Sequence, residues 1–577
     1  MPVQNGEISK IFNQLADLLE INGDNPFRIR AYRTAARNIS NLFEEVNDML
    51  EEGKDLTEIP GIGEDLARKI EEILRTGRLA LLEETKKEVP EALIGLMKIE
   101  GMGPKRTGLL YKKLGIVSVD ELEKAAQSGK ISALEGFGDK TEQNILREIE
   151  RSGAKKGEKE RVKLADAEQL AKPVLEFLKR IDGVKRIEIA GSYRRGCETV
   201  GDLDILVTHK KGSGVMQRFA EWSEVRRLIV QGETKLSAVL KSDIQVDLRA
   251  VPEISYGAAL HYFTGSKEHN IEIRKMGIEK GLKINEYGVF RNERRIAGRT
   301  EEEVFGQVGL PYIEPELREN RGELAAARDR KLPELIQLKD IRGDLHVHTT
   351  ETDGQSTLEQ MAEAAAEKGY GYLAICDHSK RVTVANGMDE ARLSAQIDRI
   401  DRLNDKLDKI VLLKSVEVDI LEDGSLDLPD RILKRLDLVV CAVHYHLRIP
   451  GDRQTERIIR GISNPYVTIL SHPTGRLINQ RDPYDVDMER LMKAAGEAGC
   501  ALEVNAHPER LDLNDLHCKM AKEHGVMLAI STDAHSSNEL NLMKYGVTQA
   551  RRGWIEADDV LNTMSLQQLL KWIGKRK

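Results

Sequence analysis

A change in hydrophobic period partway along the chain constrains its fold more than any other feature. Up to about residue 150, apolar side chains recur every three or four positions, as in IFNQLADLLEI, EDLARKIEEIL and EALIGLMKI, which predicts short amphipathic helices. After a polar stretch, Ser152–Arg161 (SGAKKGEKER), strand-like runs such as RIEIAG, DLDILVTH and DIQVDLRAV alternate with helical segments. A charged, helix-prone connector from Leu317 to Lys339 leads into a second alternation. There LAIC, IVLLKSVEV, LDLVVCAVH, VTIL, CALEVN and VMLAIS read as buried, mainly parallel strands, the pattern of a (β/α) barrel. With 577 residues to pack, such a chain divides into several cores.

Composition excludes some classes. The five cysteines (Cys197, Cys376, Cys441, Cys500 and Cys518) have no CxxC spacing, so neither a disulfide framework nor a cysteine zinc site is expected. No apolar run approaches bilayer length and MPVQNGEISK lacks signal-peptide character, so a cytoplasmic protein with no membrane partner is expected. Residues 341–577 carry 31 basic against 37 acidic side chains and the rest 57 against 59, so any nucleic-acid binding must come from local geometry. Ten of the 13 histidines fall in 341–577, which points to a separate domain with imidazole chemistry.

Three segments of the helical region repeat one plan of helix, Gly-x-Gly turn and helix. The turns are Gly61-Ile62-Gly63, Gly101-Met102-Gly103 and Gly136-Phe137-Gly138. A glycine turn before a helix N-terminus lets a phosphate approach unpaired N–H groups, so three copies predict sequence-independent grip on a DNA backbone. They resemble helix-hairpin-helix motifs, which implies that the carbonyls of Ile59, Ile62, Ile99 and Met102 hold a monovalent cation facing a phosphate. In IAGSYRRGCETVGDLDIL, residues two apart on a strand face one side, so Asp202 and Asp204 project together, and Asp247 in SDIQVDLRA adds a third carboxylate. That set suits a two-metal site. The Asp pair follows Gly191-Ser192 at the spacing of the nucleotidyltransferase superfamily.

Within that superfamily YFTGSKEHNIEIR is similar to DNA polymerase beta and its family X relatives. The resemblance implies that Gly191, Ser192 and Arg195 contact the nucleotide phosphates and that Gly201 belongs to the nucleotide-binding set. It implies further that Tyr262 and Phe263 pack on the sugar, the Tyr262 carbonyl discourages a 2′-hydroxyl, and Gly265 permits the turn. Asn270 would reach the base edge and Arg274 the template. Lys69, in GIGEDLARKIEEIL, aligns with that family's Schiff-base lysine, which implies a 5′-deoxyribose phosphate lyase, and Tyr32 also matches and would contact DNA; Asp65 and Arg28 stand where phosphate-gripping lysines would be.

In the histidine-rich region His346 and His348 lie two apart in DLHVHTTETDG, with Asp353 after them. His378, Glu417, His444, His472, Asp533 and His535 follow at strand ends. Ligands at successive strand ends converge at a barrel mouth. The series resembles the PHP domain, which implies up to three zinc, manganese or iron ions and phosphodiester hydrolysis. His446, His507, His517 and His524 are read as structural, while Asn505 and Arg510 are candidates for phosphate binding.

The chain is thus identified as a member of the bacterial family X DNA polymerases with a C-terminal PHP domain. The expected fold is multidomain: an α-helical helix-hairpin-helix N-terminal region, an α/β nucleotidyltransferase palm with thumb, and a distorted (β/α) barrel. The expected boundaries are 1–90 lyase-like, 91–155 helix-hairpin-helix, 156–258 palm, 259–318 thumb, 319–339 linker and 340–577 PHP. The family implies gap-filling DNA repair on gapped or primer-template DNA with deoxynucleoside triphosphates, two Mg2+ or Mn2+ ions in the palm, a 3′-5′ exonuclease or abasic-site endonuclease, and a monomer. The rival readings are a PHP phosphoesterase whose polymerase half merely holds DNA, and a non-enzymatic DNA scaffold.

Overall fold

The computed structural model describes residues 5–574, except 41–45, 52, 60, 98, 100–101, 135–136, 139–140, 144, 147–148 and 150–160. The predicted linker Ser152–Arg161 therefore lies outside the described residues up to 160, as do Gly101 and Gly136. Two compact units result, Met1–Glu160 and Arg161–Lys577.

The first unit is helical, as the 3.6-residue period predicts. Helices Asn5–Asn22, Pro26–Ser40, Glu64–Thr76, Ala80–Glu88, Pro104–Leu114 and Val119–Gln127 enclose one core containing Phe12, Leu15, Ile70, Leu82, Leu110 and Leu122. The segments expected as separate domains at 1–90 and 91–155 share that core. A Cβ at Gly108 would lie 2.3 Å from the Ile21 carbonyl, so only glycine lets these two helices approach so closely.

In the second unit the palm is a five-stranded sheet, ordered Val184–Ile189, Asp202–His209, Gln245–Ala250, Lys235–Leu240 and Val225–Gln231. The strands Asp202–His209 and Gln245–Ala250 run parallel and put Asp204 opposite Asp247. Leu203, Ile205 and Val207 point into a core with Ala171 and Val174 of helix Leu164–Lys179, and this apolar face turns Asp202 and Asp204 to the other side. Helices Tyr256–Thr264 and Lys267–Glu279, a three-stranded antiparallel sheet and helix Glu301–Val308 form the thumb.

The connector expected as a linker at 319–339 is packed instead. Glu323 is fully buried, 2.7 Å from His269 Nδ1 and accepting from the Asn320 and Arg321 amides, and Ala327 and Leu335 enter the thumb core. Glu319, Arg321 and Glu323 find partners inside the fold, while Arg328, Asp329, Arg330, Lys331, Glu334 and Lys339 stay exposed, a division that composition cannot reveal.

The C-terminal barrel closes from parallel strands Gly343–Val347, Tyr372–Ile375, Val411–Lys414 continued by Glu417–Asp419, Val440–Ala442, Ile469–Leu470, Ala501–Asn505 and Leu528–Ser531. Parallel bridges His378–Glu417 and Val347–Ala534 complete the ring. Leu345, Ala374, Leu413, Val440, Ile469 and Ala529 fill its interior with Leu569 and Ile573 of helix Leu566–Gly574. The barrel docks on the palm: Ile478, Leu511 and Tyr545 join the palm core, and Lys163–Glu509 (2.6 Å) and Glu198–Arg476 (2.7 Å) pair across the boundary.

Candidate active sites

In the palm, Gly191 begins a short helix at φ +63°, and a Cβ there would lie 2.6 Å from Asp204 Oδ2. The backbone thus comes against the carboxylate as closely as a residue without a side chain allows. Asp247 accepts hydrogen bonds from Ser237 Oγ and, at 2.9 Å, from Gln245 Nε2. Burial, and then the neighbouring carboxylates of Asp202 and Asp247, push the Asp204 carboxyl up to about 7. Carboxylates that repel one another in a half-buried pocket are an oxygen donor set of the kind divalent cations neutralise, so the residues fit the implied metals.

Two of the residues expected to contact the nucleotide have protein partners. Arg195, expected on the phosphates, donates from Nε to Glu319 at 2.9 Å and from Nη1 to the Thr264 carbonyl at 2.6 Å. The buried carboxylate of Glu319, outside the motif, captures it. Asn270, expected at the base edge, donates to the Tyr262 carbonyl at 2.7 Å, so the residues expected to sense base and sugar are tied together. The Tyr262 and Phe263 rings meet edge-on at 5.0 Å, with Arg274 over the first and Arg249 over the second. Gly265 has φ +73°, the turn expected of it. Gly201 lies one residue before Asp202, where a Cβ would come 3.0 Å from Arg161.

At the C-terminal mouth of the barrel the nine predicted ligands converge. Ligand atoms of His348, Asp353, His378 and His535 lie within 4.8 Å of one another, as do those of His346, His348 and Asp533, and those of His378, Glu417 and His444. His348 and His378 belong to two groups each, and His472 Nε2 joins Glu417 at 2.9 Å. Burial would raise the Glu417 carboxyl, but the imidazoles of His444, His346 and His378 hold it well below the usual range. Burial, with His378 nearby, pushes His348 down to about 3, leaving a neutral imidazole. The buried atoms His348 Nδ1, His378 Nδ1 and Glu417 Oε2 make no hydrogen bond, although the last two lie 2.8 Å apart. Buried nitrogen and oxygen atoms without partners, on side chains whose ligand atoms lie this close together, fit a metal cluster with mixed imidazole and carboxylate ligands.

Comparison with known proteins then decides the family. Residues 161–253 match the DNA polymerase beta palm, 259–319 the DNA polymerase beta thumb, 3–79 a helix-hairpin-helix domain, 93–151 a SAM-like helix-hairpin-helix tandem and 344–507 the PHP domain. The DNA polymerase/3′-5′ exonuclease PolX of Bacillus subtilis (strain 168) is 39% identical over 567 residues, covering 98% of each chain. The chain belongs to the PolX family. Probable phosphatases of Thermoanaerobacter sp. (strain X514) and Caldanaerobacter subterraneus are 33% and 32% identical, over 38% and 33% of this chain and 89% and 75% of their own.

The PolX-family barrel also uses residues that sequence reading missed. Glu503, fully buried, lies 2.8 Å from His346 Nδ1 and accepts from the His472 amide at 2.7 Å; Asp419 lies 3.1 Å from His444 Nδ1. Carboxylates behind ligating imidazoles fix ring orientation and tautomer. A carboxylate inside an apolar strand run, as in ALEVN and VEVDI, was the available signal. Asn505 donates to Asp533 at 3.1 Å and Arg510 Nε lies 3.6 Å from it, which brings both to the cluster. Asp533 and His535 lie beyond the matched PHP segment, and the fold brings them in.

In the PolX-family helical unit the hairpins share one geometry. The amides of Ile62, Met102 and Phe137 each donate to the carbonyl three residues back, at 3.0, 2.9 and 3.0 Å. Gly63 and Gly103 are extended N-caps, and the Gly138 carbonyl accepts from Thr141 at 2.8 Å. The Ile59 and Ile99 carbonyls are the acceptors of the first two turns. Gly61 has φ +81°. Tyr32, expected to contact DNA, is a core residue at 2% exposure, its ring 5.6 Å from Phe12, because the apolar stripe of its helix faces inward. Lys69 Nζ contacts the Asp65 carboxylate and sits 5.6 Å from the Tyr32 ring centre. The contact with Asp65 would have to open before the Lys69 amine could reach an aldehyde.

Proposed function

We propose that this chain is a template-directed DNA polymerase of gap-filling repair, whose barrel domain is a metal-dependent 3′-5′ exonuclease acting on phosphodiesters at 3′ ends or abasic sites. The observation that carries the reading is the placement of Asp202, Asp204 and Asp247 on adjacent strands against the Gly191 turn. Asp202, Asp204 and Asp247 would hold two Mg2+ or Mn2+ ions, which supply charge neutralisation for the triphosphate and its leaving group when bound. Around them Gly191, Ser192, Gly201 and Arg195 receive the phosphates, with Arg195 exchanging a protein acceptor for a phosphate oxygen. Tyr262, Phe263 and Gly265 form the sugar wall, and Asn270 and Arg274 face the base and template.

In the barrel, His346, His348, Asp353, His378, Glu417, His444, His472, Asp533 and His535 would hold up to three zinc, manganese or iron ions, with Arg510 and Asn505 beside Asp533 to receive a phosphate. The three Gly-x-Gly turns bind the DNA backbone, with Gly61, Gly63, Gly101, Gly103, Gly136 and Gly138 allowing its approach and a monovalent cation at the carbonyls of Ile59, Ile62, Ile99 and Met102 in the first two. The chain works as a monomer. The boundaries that accompany this reading are those of the matched segments, with the polymerase half ending near residue 319.

A single labelled gapped duplex with a 3′-hydroxyl primer, given each metal in turn, tests both halves. Extension in Mg2+ or Mn2+ and shortening from the 3′ end are expected. Shortening without extension at saturating nucleotide would replace the polymerase by a DNA-holding module on a phosphoesterase, and neither reaction would leave a scaffold. Lys69 is the candidate nucleophile of a 5′-deoxyribose phosphate lyase. Because Asp65 holds its amine, borohydride trapping should be weak in the wild type, stronger in Asp65→Asn and absent in Lys69→Ala. Equal trapping by all three proteins would remove Lys69 from the reading.

A further inference from the structure

The barrel domain holds the palm's GSYRRG loop from outside. Gly196 ends that loop at φ +65°, and a Cβ there would lie 2.3 Å from Thr548 Cγ2, so the loop rests directly on helix Met543–Arg552. From the last residue of this helix, Arg552 Nη1 donates to the Arg195 carbonyl at 2.8 Å and to Glu319 Oε1 at 3.0 Å, while Nη2 donates to Asp515 at 2.7 Å. The same Glu319 oxygen accepts Arg195 Nε at 2.9 Å. Arg321 reaches Asp515 at 2.8 Å. Arg552 is 7% exposed at its side chain, Glu319 15% and Arg195 14%, so these charges act on one another with little screening. Burial alone would raise the Glu319 carboxyl, yet Arg552 and Arg195 together hold it below its ordinary range.

The consequence concerns how much of Arg195 is left for a ligand. With Arg552 on the same carboxylate, Glu319 is neutralised from the barrel side and Arg195 keeps its positive charge toward the palm. Arg195 Nη2 has a weak acceptor, the Cys197 sulfur at 3.8 Å, which a phosphate oxygen would replace. Without Arg552, Glu319 would pair with Arg195 alone and compete with phosphate for it. The Gly191–Gly196 backbone would lose the bond at the Arg195 carbonyl that sets its path toward Asp204.

We propose that Arg552, although contributed by the barrel domain, is a positioning residue for nucleotidyl transfer: it neutralises Glu319 and anchors the Arg195 carbonyl, and so keeps Arg195 and its loop set to receive the triphosphate of the incoming nucleotide. The inference rests on the palm being the nucleotide site proposed above.

The experiment measures primer extension against deoxynucleotide concentration, and 3′-end hydrolysis, in the same preparations of the full chain. Arg552→Ala should raise the half-saturating deoxynucleotide concentration about tenfold with a smaller change in maximal rate, because triphosphate binding is what it supports. Hydrolysis should stay close to wild type, and it doubles as the check that the barrel is folded. Arg552→Lys, which keeps the charge but not the fork of donors, should fall between. Adding Glu319→Gln to Arg552→Ala should restore part of the affinity by removing the competing carboxylate, a rescue that a merely structural role would not produce. An unchanged half-saturation in both Arg552 variants, or a deeper defect in the double variant, overturns the proposal. Should Arg552→Ala lose hydrolysis as well, Arg552→Lys decides, and no shift there overturns it. If the wild-type chain extends no primer at saturating nucleotide, it is the reading of the palm that has failed.

Discussion

In the palm three carboxylates face one another across two parallel strands, and burial with mutual repulsion lifts one of them to about 7. At the barrel mouth six imidazoles surround three carboxylates, and opposite partners hold Glu417 well below its ordinary range. A pocket in which negative charge outweighs the nearby Arg249 and Arg195 is electrostatically incomplete until cations arrive, so protons compete with metals there. A pocket of mixed sign satisfies much of its own charge, so losing one ligand should be felt locally. The two clusters share no residue, yet they sit in one compact unit with ion pairs between their domains, that of Arg552 with Glu319 largely buried.

The largest test of this contrast removes one charge from the palm. Asp204→Asn changes little volume, so DNA binding and 3′-end hydrolysis should persist while primer extension falls on the order of a thousandfold or more, the scale of losing several kcal/mol of charge stabilisation. Substantial extension by this variant would break the assignment of the carboxylate site. The reciprocal change, His348→Ala, should lower 3′-end hydrolysis on the order of a hundredfold and reduce metal content per chain, with extension from a 3′-hydroxyl primer near wild type. Loss of both reactions in a folded protein would mean that the sites are coupled far more strongly than their separate ligands suggest.

A milder perturbation sharpens the barrel half of the comparison. Glu503→Gln keeps the shape behind His346 but removes the negative charge, and metal affinity should fall about tenfold. Chelator titration of the metal-loaded protein would show it; an unchanged titration would reduce Glu503 to a packing role. The smallest effect expected is on pH dependence. Asp204 must lose its proton to bind a cation, so extension at low Mg2+ should be lost as pH falls through about 7, and more Mg2+ should move that limb to lower pH. The same sign makes the metal-free fold less stable as pH rises from 3.8 toward 7, because only the folded state still holds that proton. An acid limb indifferent to Mg2+ would place the titration elsewhere.

Much of both sites was legible because strand geometry is short-ranged. A side-chain period of two aligns Asp202 with Asp204, and the barrel strand ends carry the histidines and carboxylates that the fold gathers, so motif spacing picks out candidate donors. The linear order was also enough for the family's succession of helical hairpins, palm, thumb and barrel. Tertiary structure decided what depends on a distant partner. Tyr32 is a core side chain because its helix turns that stripe inward, and the bond from Asn270 to the Tyr262 carbonyl ties together two residues eight positions apart. The charged segment 319–339 is packed because its Glu323 finds His269 54 residues earlier in the chain. Arg552 meets Glu319 across 233 positions and the Arg195 carbonyl across 357, separations at which no local pattern carries a signal. Local propensity and spacing specify which groups a strand end or turn presents, whereas which charges neutralise one another is settled only when separate cores are packed together.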